Sequence, residues 1–167
     1  MAVLEILHYP DPRLRAIAKP VTQFGPELAQ FIDDLLQTMY QSVGIGLAAT
    51  QVNVAQRVVV LDVSRGGSSP RCFVNPEILE LRGLATGEEG CLSVPETFEL
   101  VERAEWIRVR AVNAQGEPFE LECEGILAVC LQHEIDHLDG KLFVDRLSLL
   151  KRSRIRRKFD KAQRLGA

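Results

Sequence analysis

The segment from Gly125 to Leu138 constrains this fold more than any other. Wound as a helix, it is apolar nearly all round, through Ile126, Leu127, Ala128, Val129, Cys130, Leu131, Ile135 and Leu138. A helix with no continuous polar face belongs inside the protein, so other elements must cover it on more than one side. Its polar residues are Gln132, His133, Glu134, Asp136 and His137. Buried in this way, each needs a hydrogen-bond or charge partner.

His133, Glu134 and His137 spell His-Glu-x-x-His. Residues four apart on a helix differ by about 40° around the axis and about 6 Å along it. Two imidazoles so placed can close on one metal ion from the same side. The glutamate next to the first histidine sits beside that ion and can take a proton from a water there. The spacing is a signature of zinc peptidases. A purely structural role suits such a motif on a surface helix better than in an interior one.

Two histidines leave a site incomplete, because a catalytic metal usually has three protein ligands and one open position. One peptidase class adds His-x-x-Gly-x-x-His. Here Gly140 fits but Phe143 stands where the third histidine would be. Another class uses a later glutamate, and none follows Glu134. Asp139 follows the helix too closely, and nothing singles out Asp145 or Asp160. The search therefore turns upstream, to His8, Cys72, Cys91, Cys123, Cys130 and the carboxylates. Cys130 lies about 10 Å along the axis from His137, too far for a short side chain, and is better placed as a pocket wall. Cys91 follows Gly90, which permits close backbone approach. By itself Cys91 reads more readily as an inert buried thiol than as a ligand.

The remaining chain indicates an α+β fold. Antiparallel strands pack around the buried helix carrying the motif, and a basic helix follows at 148–167. All 167 residues are read as a single domain, 1–167. Pro26 to Val43 carries a helical apolar stripe that Gly44-Ile45-Gly46 ends. Arg57 to Val63 reads as a strand, Gly66 to Pro70 as a surface loop, and Cys72 to Asn75 and Ile78 to Leu81 as short strands. Trp106 to Asn113 and Pro118 to Cys123 read as a hairpin about the turn Asn113 to Gly116. Cys72 and Cys123 are taken as structural thiols, since the four cysteines show no Cys-x-x-Cys spacing. Met1 to Tyr9 is too short for a secretory signal, and no apolar run approaches a membrane span. The expectation is a cytoplasmic protein without membrane contact.

Three segments, in order, resemble peptide deformylases of bacterial type: Gly44-Ile-Gly-Leu-Ala-Ala-Thr-Gln51, Glu89-Gly-Cys-Leu-Ser93 and Gln132-His-Glu-Ile-Asp-His137. The likeness runs from the Leu-His-Tyr-Pro-Asp-Pro-Arg start to the basic tail. Singly the motifs are weak to moderate; together they are specific. The resemblance implies that Cys91, His133 and His137 bind one divalent metal, natively Fe²⁺, with Ni²⁺, Co²⁺ or Zn²⁺ able to substitute. It implies hydrolysis of the N-formyl group from the initiator methionine of new polypeptides, with release of formate. A metal-bound water is then the nucleophile and Glu134 the general base and acid. The Gln51 amide and the Leu92 backbone N–H stabilise the oxyanion. Ile45, Gly46, Ile126, Val129 and Cys130 contact substrate, with His133 at the pocket edge. The chain departs from some relatives at Val43, Gly87 and Phe98, where they carry an acid, Ile and Arg. These differences touch the pocket rim and not the ligand set.

Net charge is −3, so the whole molecule is no obvious nucleic-acid binder. The charge is uneven, however: Ser148 to Ala167 holds eight Lys or Arg against one acid, Asp160. Such a helix is most simply a solvated face. The resemblance adds a ribosomal role, docking on RNA phosphate through Lys151, Arg152, Arg154, Arg156, Arg157 and Lys158.

Overall fold

The structure is a computed structural model and describes residues 2–166. Strand β1 (Gly46–Ala48) pairs with β2 (Val58–Leu61), which pairs with β3 (Arg71–Arg82). Beyond β3 lie β6 (Trp106–Val112) and β7 (Pro118–Glu124), completing a five-stranded antiparallel sheet in the order β1-β2-β3-β6-β7. Strands β4 (Ala85–Cys91) and β5 (Val94–Arg103) form a separate antiparallel pair.

Both faces of the large sheet are covered, and β2 records this in its alternation. Val58 and Val60 pack in a cluster with Leu28, Ile32, Leu35 and Met39 of helix α1 (Pro26–Gln41). Val59 and Leu61 point the other way, into a cluster with Leu131, Ile135 and Leu138 of helix α2 (Gly125–Leu138). Leu131 and Leu138 are fully buried, and each such side chain contributes about 1.5–3 kcal/mol of hydrophobic stabilisation. Helix α2 is thus central, as its composition demands. Its first turn is the exception: Ile126 emerges at 60% exposure. A third cluster joins Tyr9, Leu14, Val94, Val101, Phe143 and Ile155, and seats the basic helix α3 (Leu149–Gly166) against β5.

Several boundaries differ from the sequence expectation, each for a local reason. Helix α1 stops at Gln41, not Val43. Val43 turns to φ 57°, and the Gly44 N–H closes on the Met39 carbonyl at 3.0 Å. A would-be Cβ on Gly44 meets the Leu92 side chain at 2.6 Å, so glycine lets this turn approach the β4–β5 corner without displacing that side chain. Gly46, expected as part of a helix stop, instead opens β1. The two short strands around Cys72 and Ile78 are one long β3. Asn75 adopts φ 52° and its side chain pairs with the backbone of Val21, so the strand bulges past Pro76 and continues. In the β4–β5 pair, the run after Cys91 reads as strand-like from the sequence, but β4 was not anticipated. That strand, Ala-Thr-Gly-Glu-Glu-Gly-Cys, is polar and glycine-containing, a composition depleted in ordinary strands. No helix among the described residues is long and apolar enough to cross a membrane.

Candidate metal centre

Helix α2 turns its apolar side to the large sheet and its polar side to the β4–β5 pair. Cys91, at the end of β4, faces His133 and His137 across that gap. The Cys91 Sγ lies 3.4 Å from His137 Nε2, and His137 Nε2 lies 3.2 Å from His133 Nε2. The three donor atoms all fall within 4.8 Å of one another. Metal–sulfur and metal–nitrogen bonds of about 2.3 and 2.0–2.1 Å around a tetrahedral ion put ligand atoms roughly 3.4–3.6 Å apart. The donors therefore fit one divalent ion, and a thiolate with two imidazoles suits several transition metals.

The earlier candidates for a third ligand sort themselves. His8, Cys72, Cys123 and Cys130 do not join the cluster. Asp139, Asp145 and Asp160 are paired with Arg57, Arg15 and Arg156. Phe143, in the place of a third histidine, stacks on the His133 ring with centroids 6.0 Å apart and 26° between planes.

Each ligand is oriented by a neighbour. His133 Nδ1 lies 2.9 Å from Glu89 Oε1, so an Nδ1–H donated to that carboxylate leaves the Nε2 lone pair facing Cys91 and His137. Burial works to raise the Glu89 carboxyl, but Arg103 and His133 outweigh it and hold it down to about 2. Cys91 Sγ accepts the Ser93 N–H at 3.4 Å and faces the Gln51 Nε2 at 3.6 Å. Gln51 is itself fixed at both ends. Its Oε1 accepts the Ala48 N–H at 2.9 Å, and its Nε2 donates to Ser93 Oγ at 3.0 Å. His137 is driven well below its ordinary pKa, chiefly by burial, which keeps it a neutral donor. Its Nδ1 is buried without a hydrogen-bond partner.

Glu134 is buried beside the donor set. Burial lifts its carboxyl to about 7, with His133 and Arg103 only partly offsetting it, and its Oε1 has no partner. A buried carboxylate with a free oxygen next to a candidate metal ligand is placed to take and return a proton near neutral pH.

A cavity of about 450 Å³ opens over the cluster. Val43, Gly44, Ile45 and Gly46 form one side; Gly90, Leu92, Pro95, Glu96 and Phe98 form the other; Gln51, Cys91, His133 and Glu134 form the floor. Ile45, Gly46, Gln51, Cys91, Leu92, His133 and Glu134 are thus brought together, with His137 fully buried beneath. Ile126, Val129 and Cys130 are not part of the lining. Ile126 is largely exposed and Val129 half-buried. Cys130 is buried with its Sγ 3.8 Å from the Ile45 carbonyl, and burial holds its thiol well above the usual range. Glu89, Ser93, Arg103 and Phe143 belong to the site's surroundings but were not singled out from sequence. Glu89 and Ser93 lay inside a motif already noticed, Phe143 was noted only as standing in a third histidine's place, and Arg103 carried no local signal.

The comparisons with known proteins agree with this geometry. The family model described as polypeptide deformylase matches residues 3–153. The peptide deformylase of Alkalilimnicola ehrlichii is 60% identical over 167 residues, covering 99% of this chain and 94% of its own. That of Tolumonas auensis is 57% identical, covering 98% of each. The crystal structure of a peptide deformylase from Legionella pneumophila superposes with a TM-score of 0.92 at 51% identity, covering 98% of this chain and 97% of that one. The Ehrlichia chaffeensis peptide deformylase in complex with actinonin gives 0.93 at 36% identity, covering 98% and 99%. The α+β architecture of antiparallel strands around a central helix is common to them. The chain belongs to the polypeptide deformylase family and is an enzyme, a hydrolase of formyl amides.

Proposed function

We propose that this enzyme removes the N-formyl group from the N-terminal methionine of newly made polypeptides, using one divalent cation held by Cys91, His133 and His137. The observation that carries this reading is the convergence of a thiol and two imidazole nitrogens within 4.8 Å, beside a buried glutamate. Fe²⁺ is the proposed resident ion, and Zn²⁺, Ni²⁺ or Co²⁺ can take its place, since a mixed sulfur and nitrogen set does not select sharply among them. A cation bound there supplies a Lewis acid and lets a water lose its proton near neutral pH.

The protein's own groups do the rest. Glu134 takes the proton from the attacking water at the carboxylate oxygen that has no other partner, then delivers it to the leaving methionine nitrogen. The formyl carbonyl becomes an oxyanion as the water adds. Gln51 Nε2, its amide locked by Ala48 and Ser93, and the Leu92 N–H are the donors assigned to that oxygen. The substrate peptide lies extended along the unpaired edge of β1, at Ile45 and Gly46. Its methionine side chain is assigned to the neighbouring surface of α2, at Ile126, Val129 and Cys130.

The proposed partners are N-formyl-methionyl nascent chains, and the ribosome through α3, in the cytoplasm. The whole chain, residues 1–167, is taken as one domain. Formate release from formyl-Met-Ala, with none from acetyl-Met-Ala and no cleavage of unblocked Met-Ala, is the expected result. Stripping metal with a chelator should abolish it, and adding back a divalent ion should restore it. Equal hydrolysis of the acetylated peptide would point to a general amidase instead.

A further inference from the structure

A ring of buried charges leaves helix α2 at one residue and returns to it one turn later. His133 Nδ1 meets Glu89 Oε1 at 2.9 Å. Arg103 grips both oxygens of that carboxylate, through Nε at 2.7 Å and Nη2 at 2.9 Å. Its remaining nitrogen, Nη1, reaches Asp136 Oδ2 at 2.8 Å. Asp136 stands three residues beyond His133 on the same helix. The Arg103 side chain is 1% exposed. Burying such a group is costly, and apolar residues of similar volume often stabilise a core as well or better, so the ring is weak evidence for a stability role.

The geometry points to Arg103 and Asp136 as positioning residues for the metal ligand His133, acting through Glu89. Glu89 and Cys91 sit two residues apart on β4, and Arg103 ends the strand paired with it. The metal ligands therefore come from two separate elements, the strand pair and α2, whose relative placement sets the sulfur-to-nitrogen distances. The ring ties those elements together at two points, His133 and Asp136. Gln132 adds a third tie beside Arg103. Its amide donates to the Ala104 carbonyl at 2.9 Å and accepts the Ala104 N–H at 3.1 Å. A planar guanidinium presents its donors in a fixed fork. Arg103 thereby sets the rotation of the Glu89 carboxylate, and Glu89 in turn sets the imidazole of His133. The His137 side chain forms no hydrogen bond to Glu89, Arg103 or Asp136; it meets the ring only at His133, with the two Nε2 atoms 3.2 Å apart, and serves as an internal reference.

The inference rests on the metal-site reading above, and Co²⁺ binding to metal-free protein tests the two separately. Arg103→Gln is expected to weaken Co²⁺ binding about 10–100-fold, as loss of outer-shell support does at other sites. Asp136→Ala should weaken it about tenfold. Arg103→Lys keeps the charge without the fork and should also bind more weakly than wild type. Nitrogen-15 imidazole spectra of the metal-free proteins should show His133 held as the Nδ1–H tautomer in wild type. In the variants that preference should be lost, while His137 is unchanged.

Wild-type Co²⁺ affinity and an unchanged His133 tautomer in folded variants would overturn the assignment. So would full affinity in Arg103→Lys, or equal disturbance of His137. Failure of the wild type itself to bind Co²⁺ would bring down the metal-site reading instead. Should Arg103→Gln not fold, Asp136→Ala carries the test, since Asp136 lies nearer the surface beside the half-exposed Arg146.

Discussion

The Cβ that Gly46 lacks would fall 2.5 Å from Glu134 Oε2 and 2.9 Å from Cys130 Sγ. Strand β1 therefore passes over α2 with no room for any side chain at this position. The carboxylate occupies the space that the glycine leaves. Gly46→Ala should push Glu134 aside while leaving Cys91, His133 and His137 in place. Misplacing a reacting group by about 1 Å can cost about 10²-fold in rate. Steady-state kinetics with metal content measured in parallel should show a fall of that order in kcat with metal retained.

Removing the carboxylate outright should cost more. Glu134→Ala is expected to keep its metal and lose about 10²–10⁴-fold in turnover, the usual range for a positioned general base. Substantial residual activity in a metal-replete Glu134→Ala enzyme would sink the proton-transfer role.

Gln51 provides a contrast, because it is assigned a hydrogen bond made chiefly in the transition state. Gln51→Ala should lower kcat by about 10²–10³-fold, or about 2.7–4 kcal/mol in the barrier, with KM little changed. The same variant leaves Ser93 Oγ without its donor. A melting curve should accompany the kinetics to show that the fold survives.

Acid stability can be assigned to Asp145. Burial works to raise its carboxyl, but two hydrogen bonds from Arg15, at 2.6 and 3.0 Å, and one from the Leu142 N–H outweigh it and hold it below the ordinary 3.8. The folded pKa is depressed, so the folded state favours the ionised form. The resulting stability is present above about pH 4 and is lost as pH falls through the folded pKa. Asp145→Asn should therefore melt lower than wild type at pH 7, and the two curves should converge as pH falls through the folded pKa. A constant gap across that range would contradict the linkage.

Testing the proposed docking of α3 on the ribosome needs a variant that spares packing, because Ile155 is buried and the Phe159 ring meets Tyr9 edge-on at 5.6 Å. Deleting residues 149–167 would disturb both. Among the described residues, Arg154, Arg157 and Lys161 take part in no ion pair, whereas Lys151, Arg152 and Arg156 face Glu99, Asp145 and Asp160. Arg154→Glu, Arg157→Glu and Lys161→Glu together should abolish ribosome co-sedimentation at low salt without altering hydrolysis of a free formyl peptide. Unchanged co-sedimentation would dismiss the docking.

The central helix was legible in the sequence because its composition left one solution. Gly125 to Leu138 has no polar face to give to water, so it had to be covered, and its His-Glu-x-x-His spacing had to place two imidazoles together. The β6–β7 hairpin was legible for a similar reason: alternation along Trp106–Val112 and a turn-forming Asn113 to Gly116 act within a few residues. The third ligand was not legible from spacing. Cys91 read more readily as an inert thiol until the motif around it was set beside a known family.

Tertiary structure decided what depends on elements meeting from distant parts of the chain. Strand β4 is polar and is specified by its pairing with β5, which is anchored by Val94 and Val101, not by local propensity. Their position puts Cys91 within 3.4 Å of His137. It also sets Arg103 under Glu89, while the packing of β1 on α2 closes Gly46 onto Glu134. The sequence by itself determined the buried helix and the chemistry it could carry, because periodicity and composition are local. Only the fold decided the distances among the donors and the tethers that hold them, because those arise from contacts between segments tens of residues apart.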